Sequence, residues 1–484
     1  MSNVARNIQN SVYNTADVIV YPVFFFATVP FFMKHLGEEI FGLWMLMNTL
    51  ILSFQVFNLG LGPAMMRYTA LYHSTKNETA LKNTVSTGIG ISLLLFVLSI
   101  GVGSLIALLI SKGSLFHLPA SITPLAAKAM LLTSLIIGTK FCEQALLHVF
   151  KGLERFDIYF FINNTIRFIT LGINMIQVYF LKSLTAMLAV SIVVTVMMLL
   201  VQLFVLKKIK KDIHPLPSLK KLYLLELMKF GFFTWIQSLI VLLVFQVDRF
   251  IVVSKYGTVT LGYYALTATI FVNIHTCITA AAYWLVPKIT AQQNDQPVNT
   301  KLYKSLRAFV TITGIAALAL FYICYKPLFT LWVGSEKLLQ LDDFVPLFTA
   351  FEFFYILMIV PPLFLNYSGY VNQGTRAIYI VSLLNIAGLI GGFAYAGSIN
   401  GMLWGLLLST VAGVIIVYEL INKLLFNKAF FSETLFFIAA AALGCTVIVF
   451  PSYIIQVGVL FLVLLLSWSY FVKIEKTDIR LLFN

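Results

Sequence analysis

The chain has 484 residues, is 60% hydrophobic and only 11% charged, and has a mean hydropathy of +0.93, a composition that excludes a soluble globular fold. Its 33 Lys and Arg against 19 Asp and Glu give a net charge of +14, which in a soluble protein would raise nucleic acid as a partner. Here the excess reads instead as the basic loops of a polytopic membrane protein, and no nucleic-acid role is expected.

A bilayer core about 30 Å thick asks for roughly 20 apolar residues per helix. In chain order, apolar windows between polar breaks fall at 10–33, 41–62, 84–110, 125–149, 157–181, 184–206, 228–253, 262–286, 306–325, 344–365, 378–397, 400–422, 432–450 and 453–472. Backbone polar groups in lipid must be satisfied internally, and the alternation of a barrel strand is absent, so these windows predict helices. The expected fold is all-α, with about 14 transmembrane helices. The first window follows only Arg6 and lacks a small-residue cleavage site, so it reads as a span rather than a signal peptide. Cys142, Cys277, Cys324 and Cys445 are far apart in apolar surroundings and read as packing residues. The His residues form no helical His-x-x-x-His pair, and no metal or cofactor is expected.

An even number of spans places both termini on one side. Most loop bases share that side, including Arg67, Lys76, Lys82 and the run from Lys207 to Lys229, whereas Lys34, Lys112, Lys128, Lys182, Lys255, Lys326 and Lys337 fall opposite. The asymmetry predicts cytoplasmic termini. Segment 65–83 has amphipathic character and is expected to lie along the cytoplasmic interface.

The longest basic segment, KKIKKDIHPLPSLKK (207–221), carries two prolines and reads as a linker between halves. A shift of 220 residues aligns Gly37 and Gly42 with Gly257 and Gly262, Ile158 and Tyr159 with Ile378 and Tyr379, and Gly172 with Gly392. Agreement at one offset, with matching span order, predicts a duplication. The expected domains are a six-helix bundle at 1–206, a basic linker at 207–227, a second six-helix bundle at 228–425, and an added helix pair with a cytoplasmic tail at 426–484. Each half holds an even number of spans, so the repeats are parallel, as in alternating-access transporters.

LGEEIFGLWMLMNTL (36–50), NLGLGPAMMRY (58–68), KGLERFDIY (151–159), QVDRFIVVSKYGTVTLGYYAL (246–266) and YKPLFTLWVG (325–334) resemble the polysaccharide-export flippases of the multidrug/oligosaccharidyl-lipid/polysaccharide (MOP) superfamily. In particular the chain is similar to the O-antigen (Wzx-type) lipid-linked oligosaccharide flippases, over essentially its whole length. The resemblance implies a V-shaped pair of bundles and translocation of an undecaprenyl-diphosphate-linked glycan from the cytoplasmic to the periplasmic leaflet. It also implies coupling to H+ or Na+, contact with membrane lipids, and a polysaccharide polymerase as a partner. Many members have twelve spans; the extra pair here is like that of the lipid II flippase branch, where it borders a groove for the lipid tail.

Two other classes stand beside this reading. A multidrug antiporter shares the architecture but favours an acidic cavity, so the sign of the lumen discriminates. A membrane-embedded glycosyltransferase or polymerase needs a sizeable loop bearing catalytic groups. The longest periplasmic connections, 111–124 and 326–343, carry no dense acidic or His cluster, so no enzyme is expected.

Charges inside spans are costly and mark an aqueous pathway or an internal pair. Lys140 and Glu143, three apart, share a face of the fourth span, and Arg167 lies midway along the fifth. Arg167 and Lys140 could hold a diphosphate, or Arg167 and Glu143 could form a structural bridge. Asp248 and Arg249 lie near the periplasmic end of the seventh span and point about 100° apart, so one could face the lumen while the other meets a neighbour. A snorkelling role for Arg249 is the alternative. Asp17 and Glu352 are lone intramembrane carboxylates, candidates for ion coupling or for bonding a neighbouring hydroxyl. Gly60–Pro63 and Pro361–Pro362 interrupt their helices.

Overall fold

The computed structural model describes residues 24–116, 118–210, 216–283, 289, 296–367, 370–425 and isolated positions between 455 and 466. Asp17, the first residues of the first span and the expected pair 432–450 and 453–472 lie outside the described residues, apart from those isolated positions. Every regular element among the described residues is helical. Among the described residues, eight helices are long and apolar enough to cross a membrane. The chain divides into two compact units, Met1–Ala265 and Leu266–Asn484.

In the first unit the helices are α1 (Phe24–Leu36), α2 (Glu38–Gln55), α3 (Leu61–Ser74), α4 (Glu78–Ser111), α5 (Thr123–Gly152), α6 (Phe156–Leu181) and α7 (Leu184–Ile209). The unit closes with the larger part of α8 (Lys221–Tyr283), which is two helical segments meeting at Gly257. The boundaries have local causes. Asn77 and Ser183 cap α4 and α7 by accepting the backbone N–H groups of Ala80 and Ala186. The second span is broken after α2, because Leu59 and Gly60 take left-handed backbone angles while the Asn58 side chain accepts the Gly60 N–H at 2.9 Å. Gly37 and Gly257, which lie 220 residues apart, both break the helix with left-handed φ values, +79° and +81°.

The apolar surface is arranged for lipid. On α4, Leu94, Val97, Leu98 and Leu105 are all more than half exposed, and only 28% of its apolar window is buried. Such a leucine face would be ruinous in water and is ordinary in hydrocarbon. The core of the unit gathers instead around Leu81, Leu147, Phe150 and Leu206, all fully buried.

The amphipathic segment 65–83 is a helix, a turn and the start of α4. One face of α3 is buried through Leu61, Ala64, Met65 and Thr69. Its far end is tied to α8, where the Tyr72 hydroxyl donates to Glu226 at 2.7 Å and Arg67 lies 4.4 Å over the Phe230 ring. The proline-bearing linker is held to α4 through the Ser218 N–H on the Ser86 carbonyl and Lys220 on Asn83.

In the second unit, the end of α8 is followed by α9 (Gln296–Val333), α10 (Ser335–Asp342), α11 (Val345–Leu357), α12 (Val360–Tyr367), α13 (Val371–Ala396) and α14 (Ile399–Leu425). The span expected at 344–365 is two helices, with Pro361 and Pro362 in the first turn of α12, where missing N–H groups cost nothing. This broken span is 94% buried and forms the centre of the unit. The α13–α14 hairpin packs through two facing Gly-x-x-x-Gly pairs: a Cβ on Gly392 would stand 2.9 Å from Gly405 Cα, and one on Gly401 would stand 2.8 Å from the Gly392 carbonyl. Backbones approach this closely only where both sides lack side chains.

Candidate functional site

Five helices of the first unit enclose a cavity of about 170 Å³. Helical spacing explains its lining. Arg167, Leu171 and Asn174 follow i, i+4, i+7 along α6, and Trp44, Asn48 and Ile51 do the same along α2. Lys140 on α5 and Ser191 and Thr195 on α7 complete the polar part, with Ile136 of α5 beside them and Phe25 of α1 beside Trp44 at a ring separation of 5.8 Å. Two bases therefore meet in one small space inside the unit, with no carboxylate among its described lining residues.

The uncharged groups complement the bases. The Asn174 amide donates to Ser191 Oγ at 3.4 Å, while Asn174 Oδ1 has no hydrogen-bond partner among the described residues. The Ser191 hydroxyl donates to the Met187 carbonyl at 2.8 Å. The Asn48 amide donates to the Trp44 carbonyl at 3.0 Å. Trp44 is itself buried among Phe25, Phe32 and Phe41, so the aromatic wall is fixed by packing.

Lys140 Nζ lies 2.6 Å from Glu143 Oε2, one turn along α5, as their spacing predicts. Glu143 is fully buried and is not a lining residue, so it neutralises part of the Lys140 charge from behind the wall. Arg167 reaches the same cavity from α6. The site therefore presents a guanidinium from α6 and an ammonium from α5.

Arg249 is not among the residues that line this cavity. Asp248 and Arg249 are both buried at 6% exposure, and Asp248 is bonded locally: the Tyr264 hydroxyl donates to its Oδ2 at 2.6 Å and the Arg249 N–H to its Oδ1 at 2.8 Å. Asp248 thus meets a neighbouring helical segment through Tyr264. Glu352 lies in the second unit, where His275 Nδ1 stands 2.9 Å from its Oε1. The structure brings Lys140 and Arg167 together, keeps Glu143 with them, and leaves Asp248, Arg249 and Glu352 in other surroundings.

Sequence reasoning from charges alone missed Asn48, Asn174, Ser191 and Trp44. The signal was available: Asn174 sits two helical turns from Arg167, on the same face. His275 was missed because its partner is distant in the chain.

Residues 8–293 match the family model described as polysaccharide biosynthesis protein. No curated protein matches the sequence. Among solved structures, the fold is similar to the lipid II flippase MurJ in an inward closed conformation, with 16% identity, a TM-score of 0.65, and coverage of 94% of this chain and 99% of that one. It is also similar to an inward-facing multidrug resistance MATE family transporter of the MOP superfamily, with 11% identity, a TM-score of 0.64, and coverage of 90% and 96%. A MOP superfamily transporter from Pyrococcus furiosus, described as having a binding pocket of reversed polarity, has 11% identity, a TM-score of 0.57, and coverage of 84% and 94%. With a multi-span helical fold of the kind found in MOP superfamily transporters and a family match over more than half its length, the chain belongs to the polysaccharide biosynthesis protein family.

Proposed function

We propose that the protein is a flippase that moves an undecaprenyl-diphosphate-linked oligosaccharide from the cytoplasmic to the periplasmic leaflet by alternating access. The observation that carries this reading is the basic cavity containing Lys140 and Arg167, with no acid among its described lining residues. A diphosphate crossing hydrocarbon without partners is prohibitively costly, and fixed bases in a wet, low-dielectric lumen remove most of that cost. Arg167 supplies a bidentate donor fork and Lys140 a point charge. Sites for drug-sized ligands measure about 300–1,000 Å³, so a cavity of this size suits a charged headgroup fragment, with the glycan and lipid chain lying beyond it.

Two bases in one lining disfavour a cationic drug, which weighs against the multidrug antiporter. Membership of the polysaccharide biosynthesis protein family supports a glycan-bearing substrate. In this reading the bundles are 1–206 and 228–425, joined by the basic linker 207–227, with 426–484 adding a helix pair beside the lipid-tail route. Both termini face the cytoplasm of a bacterial inner membrane. A polysaccharide polymerase would receive the product.

The test is transport in proteoliposomes, using a fluorescent undecaprenyl-diphosphate glycan and, separately, a cationic dye. The expected result is translocation of the lipid, lost in Arg167→Ala, with no movement of the dye. Dye export without lipid translocation would overturn the reading in favour of the antiporter.

A further inference from the structure

We propose that His275 and Glu352 form a buried proton-binding site in the second unit, through which proton movement is coupled to transport. The coupling clause rests on the transporter reading above; the proton site stands on its own geometry. Glu352 is 1% exposed, and its Oε1 lies 2.9 Å from His275 Nδ1. Glu352 sits in an aromatic layer, while the His275 side chain is 21% exposed. One turn away on each helix, Phe271 and Phe348 stack at 5.5 Å, and Phe321 of α9 meets Phe271 edge-on at 5.4 Å. The His275 ring lies 4.5 Å from Tyr355, which in turn stacks on Phe351 at 5.1 Å. On the other side α9 closes in through Gly314, where a Cβ would meet the Ile356 side chain at 2.8 Å and Ile278 at 3.3 Å.

In such surroundings one proton makes the pair neutral, whether as imidazolium and carboxylate or as imidazole and carboxylic acid. Removing it leaves a bare carboxylate in apolar packing; adding a second leaves a bare imidazolium. The pair therefore favours holding one proton. Buried Glu352 retains it and partly exposed His275 gives it a path to the surroundings, the two properties a coupling site requires. The ionisable side chains facing it are His275 on α8 and Tyr355 on α11. α9 presents Gly314 and Phe321, while α14 contributes Tyr418, whose hydroxyl donates to the Leu357 carbonyl at 3.1 Å. Arg307 of α9 is held at the Tyr303 and Tyr418 rings, and Cys277 of α8 is exposed. A metal cation is a poor fit. Hard cations require several oxygen ligands, whereas Glu352 is faced by a ring nitrogen and aromatic rings, and no cluster of three potential ligands occurs among the described residues.

The test uses the full-length protein in lipid, with infrared difference spectra recorded across a pH titration. On acidification a titrating band of the pair, from the imidazolium or the protonated carboxyl, should appear in the wild type, vanish in Glu352→Gln, and shift its midpoint by about 1 pH unit or more in His275→Gln. In proteoliposomes, transport of the diphosphate lipid should follow a pH gradient and be indifferent to a sodium gradient, and Glu352→Gln should uncouple the two. A titrating band that survives in Glu352→Gln, or a band displaced by Na+ at fixed pH, would overturn the proton site. Lipid transport driven by sodium and unaffected in Glu352→Gln would overturn the coupling while leaving the flippase reading intact. The expected titrating band without any lipid transport would support the proton site and sink the flippase reading.

Discussion

Lys140 and Glu143 are an ion pair with unequal surroundings: the ammonium reaches the cavity with 20% of its side chain exposed, while the carboxylate 2.6 Å away is fully buried. Their roles therefore separate. Lys140→Ala strands a buried carboxylate, and its expected cost is roughly 3 kcal/mol, the low end for a broken buried pair because Lys140 has access to the cavity. Removing both charges in Lys140→Met/Glu143→Leu should restore most of the stability without restoring transport. Thermal unfolding in detergent, read beside lipid transport, checks both points. A Lys140→Ala protein as stable as the wild type would show that the pair contributes nothing to folding.

Arg167 and Arg249 should respond differently to the same truncation. Arg167→Ala removes charge-assisted hydrogen bonds to the diphosphate and should lower transport roughly 10- to 100-fold at normal expression. Arg167→Lys should recover only part, because a point charge does not replace the guanidinium fork. Arg249 is buried beside Asp248, so Arg249→Ala should act mainly by lowering the amount of folded protein. Quantifying protein level and transport per molecule separates the two. Full transport per molecule in Arg167→Ala would remove this residue from the substrate site.

Much of this was legible in the sequence, for identifiable reasons. Span positions follow from hydropathy, because the bilayer imposes both length and composition. The proximity of Lys140 and Glu143 follows from helical spacing alone. The 220-residue offset found Gly37 and Gly257, which share a positive φ that few other residues adopt. Three things were not legible. The His275–Glu352 contact joins positions 77 residues apart through tertiary packing. The position of Arg249 outside the cavity depends on how α8 rotates, which hydrophobicity does not fix when every face is apolar. The break of the span 344–365 into α11 and α12 was suggested by Pro361 and Pro362, but its place depends on where the chain regains a helical turn.

Asp343 gives a pH dependence outside the spans. It follows α10 and is pushed above the usual carboxylate range, first by burial and then by the negative charge of Asp342. Asp342 itself accepts hydrogen bonds from the Tyr325 hydroxyl and from Lys326 Nζ. A raised folded value means the folded protein holds this proton more tightly than the unfolded chain. The stabilisation is fully present below the unfolded value of about 3.9 and is lost as pH rises through the folded one. Asp343→Asn should therefore be more stable than the wild type at pH 7, by no more than about 0.5 kcal/mol because the residue is exposed. The advantage should vanish near pH 4. Melting temperatures at the two pH values test this; a gain that is equal at both would show that the charge of Asp343 is not the cause.

Gly42 and Gly262, equivalent under the 220-residue offset, touch each other: a Cβ on Gly262 would stand 3.2 Å from Gly42 Cα. The contact is not symmetric in its tolerance. A Cβ on Gly42 would fall on the carbonyl of Thr258, a backbone group with little room to move, whereas one on Gly262 needs only a few tenths of an ångström from its neighbours. Gly42→Ala should therefore cost about 1–3 kcal/mol, and Gly262→Ala distinctly less. Larger substitutions should widen the gap, because Gly42→Val adds atoms against the same carbonyl. Thermal unfolding of the alanine pair in detergent decides the matter: equal losses at the two positions, or a larger loss at Gly262, would mean that α2 and the segment after Gly257 do not approach at Gly42 as described.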